Sequence, residues 1–188
     1  MTDTQHKPSN KNTSKSIAKA AVDIIQLRKR YQAAGPWALD GIDLQIQTGE
    51  FFGLLGPNGC GKTTMISILC GLLRATSGEL LLHGVPAAKY LRQHPNYLGL
   101  VPQELALYPT LSIEENLKFF ASLYGYSGRL LRKRIANCLQ ATALEHTGTL
   151  AVGRFSGGMK RRANLALTLL HEPSLLILDE PTVNVDPQ

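Results

Sequence analysis

Three short stretches of this chain carry the residue types that phosphate chemistry needs. The first is Gly56, Pro57, Asn58, Gly59, Cys60, Gly61, Lys62 and Thr63, with Thr64 beside them, in the pattern G-x-x-x-x-G-K-[ST]. Glycines let backbone N–H groups turn inward around an anion, and a helix starting at the loop adds partial positive charge. Lys62 would bring a full charge to the β and γ phosphates of a nucleotide such as ATP. The Thr63 hydroxyl would be a hard oxygen ligand for Mg²⁺. The second stretch is the apolar run 175–178, which ends in Asp179 and Glu180. Ligands of open α/β sheets bind at the carboxyl ends of strands. There Asp179 would hold the metal shell, and Glu180 would polarise an attacking water as general base. The third is Ser156, Gly157 and Gly158, a hydroxyl and two bare amides at the start of a helical pattern. That is a second anion site, or else a plain helix N-cap.

These groups need a frame that presents them at strand ends. Strand-like runs fall at residues 21–27, 42–46 and 51–55, each short and bounded by Gly, Asp or Thr-Gly. The third leads into the glycine loop, and a helix is expected from Gly61 to about Leu72. Residues 80–83 and 97–101 read as further strands. From Ser112 the pattern turns helical: Ser112 with Glu115 three residues on makes a capping box before the apolar-periodic stretch 117–123. Gly125 and Gly128 break that helix. A second is expected over about 129–143, and a third over 157–170, stopped by Pro173. Residues 174–178 are continuously apolar, as in a strand buried on both faces. The order predicts an α/β fold: a P-loop NTPase core with a mostly parallel sheet, an N-terminal antiparallel β portion, and an inserted helical subdomain at about 104–160.

Length and composition bound the answer. The chain has 188 residues, one domain's worth, with a core expected to rest on Leu, Ile, Val and Ala. Its apolar runs fall far short of a membrane span, and no signal-peptide pattern opens it. The net charge of +6 is local, because residues 1–30 hold seven basic side chains against two acidic ones. Residues 1–20 read as a disordered basic leader, either simply solvated or weakly drawn to anionic lipid head groups. Residues 21–188 form the nucleotide-binding domain. Cys60, Cys70 and Cys138 match no metal-ligand spacing and read as reduced thiols. The cluster Arg129, Arg132, Lys133 and Arg134 reads as a solvated face, and Leu117 with Phe120 as core.

A glycine loop and an acidic strand would fit many ATPases and GTPases; what lies between them narrows the choice. Phe155, Ser156, Gly157, Gly158 and Met159 resemble the L-S-G-G-Q signature of ABC transporter ATPases, and stand just upstream of the acidic strand as in that family. Tyr31 resembles the aromatic that stacks on adenine. Gln103 resembles the glutamine that touches Mg²⁺ and the attacking water. Pro181 follows the acids, and Val183, Asn184, Val185 and Asp186 resemble the D-loop. The resemblance covers about residues 21–188. It implies a face-to-face dimer, or a paired ATPase subunit, in which each ATP lies between the glycine loop of one copy and Ser156 of the other. It further implies a membrane-spanning partner docked on the helical segment, a place on the cytoplasmic side of the membrane, and no nucleic-acid partner. Phe155 and Met159, followed by Lys160, Arg161 and Arg162, look like the drug- and polysaccharide-exporter branch.

Two departures stand out. Asn184 sits where that branch usually has Gly. The family also places a further strand and a histidine beyond the D-loop, whereas this sequence stops at Gln188, so it reads as a C-terminal truncation with weak folding and poor hydrolysis expected. Two other classes compete with the transporter reading. A soluble ABC ATPase acting on DNA would need a long coiled coil between Lys62 and Ser156, yet only 93 residues without sustained heptads separate them, and translation factors carry two such domains. A non-catalytic nucleotide-binding fragment is favoured by the absent histidine and opposed by Lys62, Asp179 and Glu180.

Overall fold

The computed structural model describes residues 20–104 and 106–179. The leader and the stretch 180–188, with Glu180, Pro181, Asn184 and Asp186, lie outside the described residues.

Strand β1 (Val22–Lys29) is the spine of the N-terminal half. It pairs antiparallel with β2 (Leu39–Ile46) on one side and with β3 (Ser77–Leu82) on the other. The short β4 (Val85–Pro86) adds to β3, which gives the order β2-β1-β3-β4. Val22, Ile24 and Leu27 of β1 are each 1% exposed, and they pack on the helix that follows the glycine loop, α1 (Lys62–Leu69), through Met65, Ile68 and Leu69. Helix α2 (Ala87–Gln93) follows β4 and packs against the same core. Neither β4 nor α2 is legible in the sequence, because Pro86 and a seven-residue segment carry too little periodicity.

Strands β5 (Leu98–Val101) and β6 (Leu175–Leu178) pair in parallel, Leu98 opposite Leu175 and Val101 opposite Leu178. Between them in sequence come α3 (Ile113–Leu123), α4 (Gly128–Ala141), two short 3₁₀ turns, and α5 (Gly157–Leu169). These helices surround a second apolar core, with Ile113, Leu117, Ala121, Ile135, Leu144, Val152, Phe155, Ala163, Ala166 and Leu170 at its centre. Leu117 is fully buried, and each side chain of that size contributes about 1.5–3 kcal/mol on burial. Phe120 packs on the same core, as expected. The Ser112–Glu115 capping box at the start of α3 forms as read, with Ser112 N–H and Oγ–H each donating to Glu115 Oε2 at 2.8 Å. These hydrogen bonds hold the Glu115 carboxyl below its ordinary pKa.

Four expectations need correction. Residues 51–55, with the composition of a strand, join no ladder. β1, β5 and β6 take their partners elsewhere, and Phe51 and Leu55 are 96% and 92% exposed. A cleft of about 900 Å³, lined by Ile46, Phe51, Tyr97, Leu175 and Leu178 among others, opens beside this run. As a result the larger sheet is antiparallel, and the parallel portion among the described residues is the β5–β6 pair. For the same reason β6 is not buried on both faces: Leu176 and Leu178 are each 38% exposed. Arg134 is also not simply solvated. Its guanidinium donates to Leu170 O at 2.8 Å, pairs with Glu172 at 3.0 Å, and lies 4.4 Å from the Tyr126 ring. Arg129, Arg132 and Lys133 are exposed as read.

Candidate functional site

The glycine loop is built for an anion. Gly61 is the N-cap residue of α1 and has φ +97°, a conformation that side chains disfavour. A Cβ there would stand 2.4 Å from Ala38 O and 2.8 Å from Leu39 Cδ2, so the loop lies directly on the end of β2. Gly59 has φ +81° with open space around it. The first turn of α1 carries no acidic side chain of its own to offset the positive end of the helix dipole. Lys62 Nζ donates to Gly56 O at 2.7 Å and to Pro57 O at 2.9 Å. The ammonium therefore folds back over the loop's own carbonyls. Asn58, Cys60 and Thr63 are all exposed along the same turn.

Tyr31 lies just beyond β1, 66% exposed, with its hydroxyl 3.1 Å from Thr64 Oγ1 in the first turn of α1. Lys29 Nζ sits 5.4 Å from the centre of the Tyr31 ring. An exposed aromatic ring is thus tethered beside the glycine loop, where a base could stack on it.

Gln103 and Asp179 emerge at one end of the parallel pair. Asp179 N–H donates to Val101 O at 3.0 Å, which extends the ladder by one residue, and Gln103 follows two residues after Val101. Asp179 carries its charge close enough to be felt at Cys70, the C-cap of α1; burial first and that carboxylate second push the Cys70 thiol up to about 11. The Gln103, Asp179 and Thr63 oxygens are of the hard type that Mg²⁺ takes, and they fit a metal bound mainly through substrate phosphates. With Asn58, Cys60 and Thr63 all exposed, the loop is a surface cradle.

The second anion-type end also forms. Ser156 caps α5, its Oγ accepting from Met159 N–H at 3.3 Å, and no acidic residue sits in the first turn. Gly157 and Gly158 are exposed, with nothing within 4 Å of where a Cβ would stand. The first amides of a helix have no partner within it, so these two face solvent.

The glycine loop and the Ser156 helix start, in this order along one chain, lie within a single match: residues 39–183 fit the family described as ABC transporter. The chain belongs to the ABC transporter ATP-binding family. Among curated relatives of this ABC domain, the linearmycin resistance ATP-binding protein LnrL of Bacillus subtilis is 46% identical over 148 residues, covering 79% of the chain and 48% of LnrL. The Nod factor export ATP-binding protein I of Burkholderia pseudomallei is 40% identical over 169 residues, covering 90% of the chain and 55% of that protein. The chain spans about half the length of these relatives. The solved structure of cbiO1 from Clostridium perfringens, part of the ABC transporter complex cbiONQ, matches with a TM-score of 0.81 at 32% identity, over 90% of this chain and 68% of that one. The ABC domain's α/β architecture is therefore that of its structural neighbours.

Sequence reasoning missed the polar residues of α5 that face β5. Asn164 is 3% exposed, and its side chain bonds Pro102 O, Glu104 O and Ala106 N. The signal was available as two polar residues four apart, Asn164 and Thr168, on an otherwise apolar helix face.

Proposed function

We propose that this chain binds ATP at the Gly56–Thr64 loop and hydrolyses it by in-line attack of water, as the ATP-binding part of a transporter. The carrying observation is the Lys62 ammonium held over the loop carbonyls at the positive end of α1. Lys62 and the loop amides neutralise phosphate charge as it shifts toward the leaving group. Tyr31 stacks on the base, and Gln103 and Glu180 orient the water, Glu180 as base. A bound Mg²⁺ would be held by Thr63, Asp179 and Gln103 and would supply positive charge to neutralise the phosphates.

The exposed amides at Gly157 and Gly158 support the dimer reading. In it, Ser156, Gly157 and Gly158 of one copy close over the nucleotide held by the other, and Asp186 lies at the join. ATP then holds the two copies together until hydrolysis releases them. Export is the favoured direction, supported by relatives whose names give Nod factor export and linearmycin resistance. The helical layer would dock the membrane-spanning subunit, which would keep the chain at the cytoplasmic face of the membrane. The half-exposed Tyr108 and Phe119, whose rings meet edge to face at 5.0 Å, offer that subunit an aromatic surface. Among the described residues no helix is long and apolar enough to cross a membrane.

Light scattering with Mg·ATP tests the reading. Glu180→Gln should bind ATP, stay dimeric and stop phosphate release, whereas wild-type turnover by this variant would remove Glu180 as base. A strictly monomeric Glu180→Gln protein saturated with ATP would remove the dimer.

A further inference from the structure

Helix α5 lies along the edge of β5 that β6 leaves open. On the paired side, Ser174 and Leu175 N–H donate to Tyr97 O, and Asp179 N–H to Val101 O. On the other side the alternate carbonyls fall to α5 and the turn that follows it. His171 Nε2 is 3.1 Å from Leu98 O, and Thr168 Oγ1 donates to Leu100 O at 3.2 Å. Asn164 Nδ2 donates to Pro102 O at 3.1 Å and to Glu104 O at 3.3 Å. Spacing of four puts Asn164 and Thr168 on one face of α5, with His171 in the turn just past its end; Leu98 O and Leu100 O share one edge of β5, and the Pro102 and Glu104 carbonyls follow in the loop beyond it. Gly99 permits the close approach, because a Cβ there would stand 2.7 Å from Thr168 Cγ2 and 2.8 Å from Pro173 Cγ.

Asn164 does more than cover an edge. The two carbonyls it holds are those on either side of Gln103, and its Oδ1 also accepts from Ala106 N–H at 3.4 Å. A planar amide is suited to this task, since it carries two donor hydrogens and an acceptor. Further along the same loop, Gly153 N–H donates to Pro109 O at 2.8 Å and Val152 N–H to Leu111 O at 2.9 Å. The Gln103 loop is therefore stitched to residues 152–164, the stretch that contains Ser156.

We propose that Asn164 is a positioning residue for Gln103, making the Gln103 loop and the Ser156 helix move as one body. The inference rests on the reading of Gln103 as a group that reaches Mg²⁺ and the attacking water. Displacement of the Ser156 helix, as on meeting a second copy, would then shift Gln103 directly.

The test uses the full chain with Asn164→Ala, Gln103→Ala, the double variant, and Thr168→Val as a control that loses a bond to β5 without touching the carbonyls beside Gln103. Hydrogen exchange is read at Ala106 and along α3, and ATP affinity is measured with and without Mg²⁺. We expect Asn164→Ala to speed exchange at Ala106 at least tenfold while α3 stays protected. It should reduce the Mg²⁺-dependent gain in ATP affinity roughly tenfold, the scale of losing a group that orients a metal ligand. Metal-free ATP affinity should be unchanged, and the loss should not recur on the Gln103→Ala background. If Asn164→Ala behaves like Thr168→Val, or adds its full effect to Gln103→Ala, the proposal is overturned. If Gln103→Ala itself leaves the Mg²⁺ dependence intact, the assignment of Gln103 fails and takes the proposal with it. Should Asn164→Ala not fold, Asn164→Leu, which keeps the side-chain shape and loses the acceptor and both donors, takes its place in the same measurements, and the same results support or overturn the proposal.

Discussion

Tyr31 Oη and Thr64 Oγ1 stand 3.1 Å apart, which pins an exposed aromatic ring beyond β1 to the first turn of α1. On the proposed reading, base recognition and phosphate recognition would share one support, although the two residues come from different elements. The bond is worth little by itself on an open surface. Its use is to hold the ring at a fixed distance from the loop.

For Tyr31, the prediction separates ring from hydroxyl. Tyr31→Ala should weaken ATP binding roughly tenfold, the scale of one base stacked on an aromatic, and leave tripolyphosphate binding unchanged. Tyr31→Phe should stay close to wild type in both. Titration calorimetry with the two ligands decides; equal losses for both would mean that the ring does not meet the base.

Lys62→Ala should raise the dissociation constant for ATP roughly 10- to 100-fold, since a hydrogen bond to a charged group is worth about 1.5–3 kcal/mol. The same variant should change folding stability by less than about 0.5 kcal/mol, because among the described residues Lys62 bonds only carbonyls of an exposed loop. A large drop in melting temperature would show that the lysine holds the loop together and that its binding role is secondary.

Two glycines of one loop should respond differently. Gly61→Ala meets Ala38 O at 2.4 Å in a left-handed conformation, and should cost about 2–4 kcal/mol of stability. Gly59→Ala has the same kind of backbone but nothing within 4 Å, and should cost about 1–2 kcal/mol. Urea unfolding of both variants checks the difference.

The three thiols should separate by reactivity. Burial pushes Cys70 and Cys138 up to about 11, so both stay protonated and slow at pH 8, whereas Cys60 is exposed in the phosphate loop. One equivalent of iodoacetamide should label Cys60, Mg·ATP should protect it, and labelled protein should bind ATP poorly. Normal ATP binding by the labelled protein would place Cys60 outside the site.

The capping box predicts a pH effect with a definite sign. Glu115 has a lowered pKa in the folded state, so the unfolded chain takes up its proton first as pH falls. Its contribution is complete above the ordinary carboxylate range and is lost as pH falls through the lowered native value. Wild type should therefore be more stable than Glu115→Gln near neutrality, and the gap should close in acid. A gap that persists below the native pKa would mean that the charge is not what stabilises the turn.

The sequence alone determined what is local. The Ser112–Glu115 box, the Ser156 cap, the Lys62 loop and the helix stop before Pro173 each depend on residues within about one turn of one another, so residue type and spacing suffice. Family membership was legible for the same reason, as ordered short motifs. Tertiary structure decided everything that depends on a distant neighbour. A run such as 51–55 has strand composition, yet it is a strand only when another segment lies alongside it, and here none does. Arg134 looks like one more solvated charge until Leu170 and Glu172 come near. Asn164 and Pro102 are 62 residues apart, and no helical or strand period links them. Only packing α5 on the edge of β5 brings that amide to both sides of Gln103, because a hydrogen bond between distant residues exists only where the fold makes them adjacent.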